Sequence, residues 1–215
     1  MQQLLSIETG KVCNGASFDG VDDYVEVDDS NLFDGSSELT ILGWINPEDI
    51  YTPPAGTNAR GVLSKRNNAA SDVAYGIFFY SSRADGKLYV DIDTTNNRFT
   101  SNAVIPEEQW THFAVTFDGN LPANERVKLY INGVLDRTAR EDSTTIPDYN
   151  SNLYIGNLYY GLSELKVYKG LLDEIHIIPT TLTQTDILDF YNETRGGCQS
   201  CAQIDHYRFY HDGAA

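Results

Sequence analysis

The sequence predicts an all-β protein, an antiparallel jelly-roll sandwich with one short helix near its C-terminus. Apolar and polar residues alternate with the strand period through most of the chain. Turn sequences rich in Gly, Asn and Asp separate these runs, and Asn132-Gly133 between apolar residues is the strongest hairpin signal. The composition also favours strands, with 14 tyrosines and one methionine among 215 residues. Together these three observations favour a sandwich over a helical or mixed fold.

Nine runs have strand character. In chain order they are YVEV (Tyr24–Val27), LTILGWI (Leu39–Ile45), YGIFFY (Tyr75–Tyr80), KLYVDID (Lys87–Asp93), THFAVTF (Thr111–Phe117), RVKLYI (Arg126–Ile131), NLYIG (Asn152–Gly156), SELKVY (Ser163–Tyr168) and LDEIHII (Leu172–Ile178). Two long polar loops interrupt the pattern, but strand character resumes directly after each, so neither indicates a domain boundary. We therefore expect one domain over residues 13–197 and a C-terminal tail, 198–215, that begins a following region.

One segment, TLTQTDILDFYNETRGG, has helical character. Thr183 is placed to cap its N-terminus, with Asp186 three residues later, and apolar residues follow at helical spacing. Gly196 or Gly197 suits its end.

The net charge of −16, from 31 acidic and 15 basic residues, argues against a nucleic-acid partner. It suits a cation-binding or secreted surface protein, although solubility alone also explains an acidic chain. No apolar run reaches the length of about 18 residues that a membrane helix needs, so no membrane insertion is expected. The first residues, MQQLLSIETGKVCNG, do not resemble a signal peptide, so we expect a fragment of a longer chain if the protein is exported.

The three cysteines, Cys13, Cys198 and Cys201, allow at most one internal disulfide, with three pairings open. Cys13 and the Cys198/Cys201 pair bracket the domain, as a clasp across its two ends would. A CxxC pair can also indicate redox chemistry or half a zinc site. The chain has no second CxxC and no histidine near Cys13, so a structural disulfide is favoured.

Five motifs occur in a family-like order between about residues 13 and 192. They are ASFDGVDDYVEV, LTILGWINPED, EEQWTHFAVTFDG with VKLYINGVLD, LYIGNL, and GLLDEIHIIPTTLTQTDILDFYN. This series resembles the laminin-G-like, concanavalin A-type jelly roll of lectins and glucanases. In that family the motifs correspond to an opening hairpin, a strand with a core tryptophan, a central signature, and a closing strand with its helix.

The tail CQSCAQIDHYRFYHDG has a narrower resemblance, to large bacterial surface proteins of the mannose-sensitive haemagglutinin pilus biogenesis type (MshQ-like). There a domain of this kind precedes a long β-rich region. The resemblance implies an exported protein, at the cell surface, pilus-associated or periplasmic, whose partners include other domains of the same chain.

The family resemblance also implies a structural calcium ion. Matching aspartates of the first hairpin and the closing strand often hold Ca²⁺ in the family, and carried over by position they are Asp19 and Asp173. Backbone carbonyls and water would complete the oxygen shell. The alternative is that both aspartates cap turns. Asp22 and Asp23 fit a solvated turn equally well.

A sugar site would combine aromatic rings with short amides and charged groups. Tyr159 and Tyr160, in YIGNLYYG, and Asn96 and Arg98, in DTTNNRF, supply these groups. The alternative is that the tyrosines fill sheet edges and packing gaps. Trp44 and Trp110 are expected in the core.

An enzyme is not favoured. DEIHI faintly resembles the catalytic strand of glucanases, but His176 and Ile177 stand where a further acid is expected. Asp173 and Glu174 are adjacent in a predicted strand, so their side chains should face opposite sides. No nucleophile elbow is present, and His112 is expected to have a hydrogen-bonding role in the sheet.

The leading hypothesis is thus a non-catalytic carbohydrate-binding or adhesion module of an exported bacterial surface protein, with a glycan or cell-surface ligand and a structural calcium ion. A purely structural spacer of a pilus or envelope assembly is the first alternative, and a polysaccharide-cleaving glycoside hydrolase is the second.

Overall fold

A computed structural model describes residues 6–32, 34–53, 57–67, 72–161 and 166–197, with backbone alone for 94–97. In chain order its strands and helix are β1 (Ser6–Thr9), β2 (Asn14–Asp19), β3 (Val25–Val27), β4 (Glu38–Pro47), β5 (Arg60–Arg66), β6 (Val73–Phe79), β7 (Leu88–Ile92), β8 (Thr94–Thr100), β9 (Thr111–Asp118), β10 (Val127–Ile131), β11 (Val134–Ala139), β12 (Leu153–Ile155), β13 (Lys169–Ile178) and α1 (Gln184–Thr194).

The strands form two antiparallel sheets. One has seven strands in the order β1-β2-β13-β4-β9-β10-β11, and the other has six in the order β3-β12-β5-β6-β7-β8. The predicted all-β sandwich with one short helix is confirmed. Its main core lies between the sheets, where alternate residues such as Ile41, Val115 and Leu129 of one sheet face Ile77 and Val90 of the other.

The Asn132-Gly133 hairpin is also confirmed, since it joins β10 to β11. Both turn residues have positive φ, 50° for Asn132 and 78° for Gly133. Such a turn matches the twist of the two strands, and Asn followed by Gly adopts it at little steric cost.

Helix α1 covers the outer face of the seven-stranded sheet. Its N-terminus is a capping box, in which the Thr183 hydroxyl accepts from the Asp186 amide and the Asp186 carboxylate accepts from the Thr183 amide. Ile187 packs on Leu42 and Ala114 of the sheet. The sequence therefore predicts both the start of this helix and the apolar stripe that holds it.

The predicted opening hairpin is wrong. Within ASFDGVDDYVEV, β2 pairs with β1 and β13, whereas β3 pairs with β12 in the other sheet. The residues between the two strands therefore cross from one sheet to the other. Periodicity places residues in strands but does not show which strand is the neighbour.

The predicted strand SELKVY is not formed in its described part. Ser163–Leu165 lie outside the described residues, and Val167 makes only an isolated bridge with Asn157.

Conversely, β5 was not among the predicted runs. It contains Lys65 and Arg66, both completely buried, so its pattern of charges resembles a solvated segment although it is central to its sheet.

Candidate functional site

The outer face of the six-stranded sheet carries an aromatic floor. Phe78 of β6 and Tyr89 of β7 are buried there and stack with ring centroids 5.5 Å apart. Tyr80 follows β6 on the same face and lies 5.6 Å from Tyr89 between centroids. Because strand residues alternate, Ile77 and Phe79 point into the main core while Phe78 and Tyr80 point outward.

Residues 157–161, here called the strap, cross over this face. The Ser64 hydroxyl of β5 donates to the Asn157 carbonyl at 2.9 Å and accepts from the Tyr159 amide at 3.0 Å. Gly61 permits this approach, since a Cβ there would lie 1.9 Å from the amide nitrogen of Leu158. The Leu158 side chain then joins Phe78 and Tyr89 in a small apolar cluster.

The strap brings Tyr160 to the edge of this floor. Tyr160 is half-buried, and two cations lie over its ring, with Arg66 Cζ 3.8 Å and Lys166 Nζ 3.4 Å from its centroid. Arg98 of β8 also interacts with Tyr160. Arg98 and Tyr160, two of the predicted ligand residues, are far apart in the sequence but lie together in the structure.

Arg98 is held by Asp91 of β7. Arg98 Nε and Nη2 donate to the two carboxylate oxygens of Asp91, each at 2.7 Å. Burial alone would lower the pKa of Arg98, but the hydrogen bonds and charge of Asp91, with a contribution from Tyr160, raise it above its ordinary value. Arg98 Cζ lies 4.9 Å from the Phe78 ring centroid and 5.6 Å from that of Tyr80. The guanidinium is thus fixed as a permanent cation on the floor.

We call Phe78, Tyr80, Tyr89, Arg98 and Tyr160 the aromatic platform. Polar groups border it. Asn58 Nδ2 donates to the Tyr80 hydroxyl at 3.0 Å, and the Tyr89 hydroxyl donates to Asp85 Oδ2 at 2.6 Å. The exposed Arg83 lies over the rings of Tyr80 and Tyr89, at 5.0 and 5.6 Å.

Sequence reasoning missed Tyr80, Tyr89 and Arg83. The alternation of YGIFFY and KLYVDID contains the signal, because it places Phe78 and Tyr80 of the first run and Tyr89 of the second on the face opposite the core residues. The sequence did not show that an aromatic residue on that outer face has ring neighbours from the next strand.

Two other predicted ligand residues are placed differently. Tyr159 stacks flat on Tyr154 of β12, with centroids 4.3 Å apart and planes 2° from parallel. The Tyr154 hydroxyl donates to Glu26 Oε1 at 2.8 Å, and its pKa is raised by burial and by that carboxylate. The ring of Tyr159 therefore covers Tyr154 on one side. Asn96 belongs to β8, but its side chain lies outside the described residues.

The structure does not bring Asp19 and Asp173 together, so the predicted two-aspartate calcium site is wrong as a pair. Asp19 pairs with Lys169 in the ladder between β2 and β13. Asp173 lies four residues farther along β13, a distance of about 13 Å at about 3.3 Å per residue. A calcium ion binds its oxygens at about 2.3–2.6 Å, so one ion does not reach both carboxylates.

Asp173 has a different partner set. Its carboxylate accepts from the amide of Val12 at 2.6 Å and from that of Glu174 at 2.8 Å. Burial raises its pKa, and these amides partly oppose the rise. Asp173 thus fixes the turn between β1 and β2. Glu174, at φ +49°, instead faces His176, whose Nε2 lies 3.1 Å from its carboxylate.

Asp19 lies with the two aspartates that the sequence left as a turn. Carboxylate oxygens of Asp19, Asp22 and Asp23 all lie within 4.8 Å of one another. One oxygen of Asp19 accepts from the Val21 amide, and one of Asp23 accepts from the Asp19 amide. At least one oxygen of each carboxylate stays outside these turn contacts, so the set matches the hard-oxygen donors that Ca²⁺ prefers.

The predicted core residues divide between two places. Trp44 is buried, but beneath α1 rather than between the sheets, and Trp110 is half-buried. The predicted hydrogen-bonding role of His112 is wrong among the described residues. Its imidazole is completely buried, and neither ring nitrogen has a hydrogen-bond partner there.

The two ends of the domain lie side by side. Lys11 Nζ donates to the Arg195 carbonyl at 2.6 Å, and a Cβ at Gly197 would lie 3.3 Å from the Lys11 carbonyl. Cys13 stands in this turn, whereas Cys198 and Cys201 lie outside the described residues.

These features identify the fold as a two-sheet jelly roll of the lectin type. The sequence matches the family described as the concanavalin A-like lectin/glucanases superfamily over residues 19–188, and the chain belongs to it. The predicted family is therefore confirmed. No curated protein sequence is significantly similar to this chain.

Several solved structures share the fold. Domain 4 of AbnA, a GH43 extracellular arabinanase from Geobacillus stearothermophilus in complex with arabinotriose, has a TM-score of 0.61 and 21% identity, covering 87% of this chain and 81% of that one. A heptameric SAP-like pentraxin from Limulus polyphemus has a TM-score of 0.60 and 18% identity, over 85% and 84% of the two chains.

A putative carbohydrate-binding protein from Bacteroides ovatus has a TM-score of 0.59 and 16% identity. The match covers 77% of this chain and 43% of that one. At these identities the likeness concerns the fold. Among the described residues, no helix has the length and apolar character of a membrane span.

Proposed function

We propose that this chain is a non-catalytic carbohydrate-binding module and that the aromatic platform is its binding surface. The observation that carries the proposal is the placement of the half-buried rings of Tyr80 and Tyr160 beside the fixed guanidinium of Arg98. Tyrosine rings pack against the C–H face of a sugar, while charged and amide groups bond its hydroxyls. The arabinanase domain that shares the fold holds arabinotriose, which supports a glycan as the ligand class.

The platform suits binding better than hydrolysis. A glycosidase of the common type needs two carboxyl groups about 5–9.5 Å apart, one of them free to donate a proton. Of the described carboxylates at the platform, Asp91 is paired with Arg98, and Asp85 accepts from Tyr89. Asp173, the acid of the glucanase-like motif, lies on the other sheet and bonds two amides. These engagements support binding without turnover.

Calcium remains part of the proposal, with a changed ligand set. Asp19, Asp22 and Asp23 would hold the ion, because their oxygens already cluster in one turn. The turn stands between β2 of one sheet and β3 of the other, so a bound ion would offset the repulsion among three like charges and stabilise the crossing.

Export and a disulfide complete the proposal. A glycan-binding module is useful where glycans are, outside the cell or at its surface, and disulfides persist in such places. The contact between Lys11 and Arg195 supports a bond from Cys13 to Cys198 or Cys201, since the chain reaches residue 197 beside that turn. The link to pilus biogenesis and to further domains stays a prediction.

Binding to an immobilised glycan collection that includes arabino-oligosaccharides tests the function. We expect a retained glycan, at least tenfold weaker binding by Tyr160→Ala, and no release of reducing sugar. Tyr51→Ala is the matched control, because Tyr51 is 40% exposed on the β4–β5 loop and is not part of the platform. Folded protein that retains no glycan would contradict binding, and released sugar would contradict the absence of catalysis.

A further inference from the structure

A second group of charged residues surrounds the side chain of Lys65 in β5, apart from the aromatic platform. Lys65 of β5 is completely buried, and its Nζ lies 3.0 Å from Oδ2 of Asp34, whose side chain is also 0% exposed. The same Nζ contacts the Asp29 carboxylate and donates to the Ser151 carbonyl at 2.6 Å and the Tyr149 carbonyl at 3.3 Å. A buried primary amine is thus in contact with one buried and one partly exposed carboxyl group.

As an ordinary ion pair this arrangement is incomplete. Asp34 Oδ1 is buried without a hydrogen-bond partner among the described residues, and so is the hydroxyl of Tyr75. Burial raises the pKa of Asp34 even though the hydrogen bond and charge of Lys65 oppose it. Taking two charges out of water has a desolvation cost, which a buried ion pair offsets only when its remaining polar atoms are also hydrogen-bonded. Burial thus shifts Asp34 toward its protonated form.

We propose that Lys65 and Asp34 condense to form an intramolecular isopeptide bond, with Asp29 as the proton acceptor. Nζ is already in contact with a carboxyl oxygen, so the carboxyl carbon is one bond farther away. Groups fixed in this way react as if at concentrations of about 10⁵–10⁸ M, which offsets the unfavourable condensation of a free amine and acid in water.

The step balances without any co-reactant. Asp29 takes a proton from the Lys65 ammonium, and the neutral amine attacks Cγ of the protonated Asp34 carboxyl. The C–N bond forms and a C–O bond breaks, and the hydroxyl leaves as water with a second proton from nitrogen. Asp29 then releases its proton to solvent. Its side chain is 29% exposed, which provides a route for both water and proton.

The surroundings also suit the product. The amide keeps one N–H, and the Ser151 carbonyl at 2.6 Å from Nζ is placed to accept it. Burial raises the pKa of Tyr75, so this hydroxyl stays protonated. Tyr75 is the cross-strand partner of Lys65 between β5 and β6, so it lies beside the cluster.

Intact-mass spectrometry of the full chain, folded and then reduced and denatured, tests the proposal. We expect a mass lower than that of the sequence by one water molecule, and a branched peptide joining the segments of Lys65 and Asp34 after proteolysis. An intact mass equal to that of the sequence overturns the proposal, since the cluster is then an ion pair only. A loss mapped elsewhere overturns it as well.

Variants separate the roles. Lys65→Arg should abolish the loss because a guanidinium forms no such amide, and Asp29→Asn should abolish it or slow it strongly. Asp34→Asn should lose ammonia instead of water, which would identify the reacting carbon. Lys87→Arg, at a lysine outside the cluster, should keep the full loss of water. A loss that persists in folded Lys65→Arg protein contradicts the assignment.

Discussion

The indole of Trp44 meets the imidazole of His112 edge to face, with ring centroids 5.3 Å apart, on the sheet surface beneath α1. Tyr191 and Phe190 of the helix cover the same imidazole, and His176 on β13 lies against Phe190. The imidazole is therefore enclosed by rings and has a second histidine nearby. A cation there would be poorly solvated.

This enclosure predicts a dependence of stability on pH. Burial, followed by the charge of His176, lowers the pKa of His112 from 6.5 to about 4. Between these values the unfolded chain binds a proton that the folded chain does not, so stability falls as pH falls from 6.5 to 4. At about 1.4 kcal/mol per unit the loss approaches about 3 kcal/mol.

Urea denaturation of the wild type and His112→Phe at several pH values measures this loss. In His112→Phe the free energy of unfolding should not show this loss as the pH falls from 6.5 to 4. His176→Gln, at a partly exposed histidine, should keep most of the loss. If the free energy of unfolding depends on pH equally in the wild type and in His112→Phe, His112 is not the group responsible.

Gly61→Ala should disturb the strap and with it the platform. The added Cβ would meet backbone atoms of residues 157 and 158, which are not flexible side-chain ends. We expect a destabilisation of about 1–3 kcal/mol, as for other overpacked sites, together with weaker glycan binding.

Gly196→Ala is the matched control for thermal unfolding and binding, because nothing lies within 4 Å of a Cβ at Gly196. If Gly61→Ala matches this control in both measurements, the strap is not held by the close approach at Gly61.

Arg98→Gln should be strongly destabilising. Asp91 is completely buried and would lose both charge-assisted hydrogen bonds, at a cost of about 3 kcal/mol or more. The double variant Asp91→Asn/Arg98→Gln should recover part of this loss, because the orphaned charge is removed as well.

Arg140→Gln is the comparison, since the Arg140–Asp142 pair is exposed on both sides and should contribute about 1 kcal/mol or less. Chemical denaturation that gives similar losses for the two arginine variants would contradict a special role for the buried pair.

Calcium should raise the melting temperature by binding to Asp19, Asp22 and Asp23 and not to Asp173. At 100 times the dissociation constant, a bound ion stabilises by about 2.7 kcal/mol. Asp19→Asn and Asp22→Asn should remove the increment, and Asp173→Asn should keep it, although Asp173→Asn lowers stability in itself. An unchanged melting curve with EDTA and with calcium would exclude the ion, and loss of the increment only in Asp173→Asn would restore the original pairing.

The sequence predicted those parts of the fold that depend on local patterns. The Asn132-Gly133 turn, the capping box of α1 and most strands follow from nearby residues. Strand β5 did not, because the charges of Lys65 and Arg60 are compensated by Asp34 and Asp49, which lie in loops outside the strand. Burial of a charge depends on such a partner, and no local pattern reveals it.

The candidate site shows the same division. Arg98 and Tyr160 were chosen for their chemistry, and the strap brings them together. Asp19 and Asp173 were joined by analogy with a family, and the register of β2 with β13 separates them. Pairing across strands decides both outcomes, and periodicity within a strand carries no information about it.

The contact between Lys11 and Arg195 has a mechanical consequence. A pulling force applied at these two residues would act first on their own junction, while the ladders of both sheets stay unloaded. Covalent closure beside that junction by Cys13 would let tension pass along one edge of the fold. The face that carries Tyr160 belongs to the other sheet and would keep its shape under load.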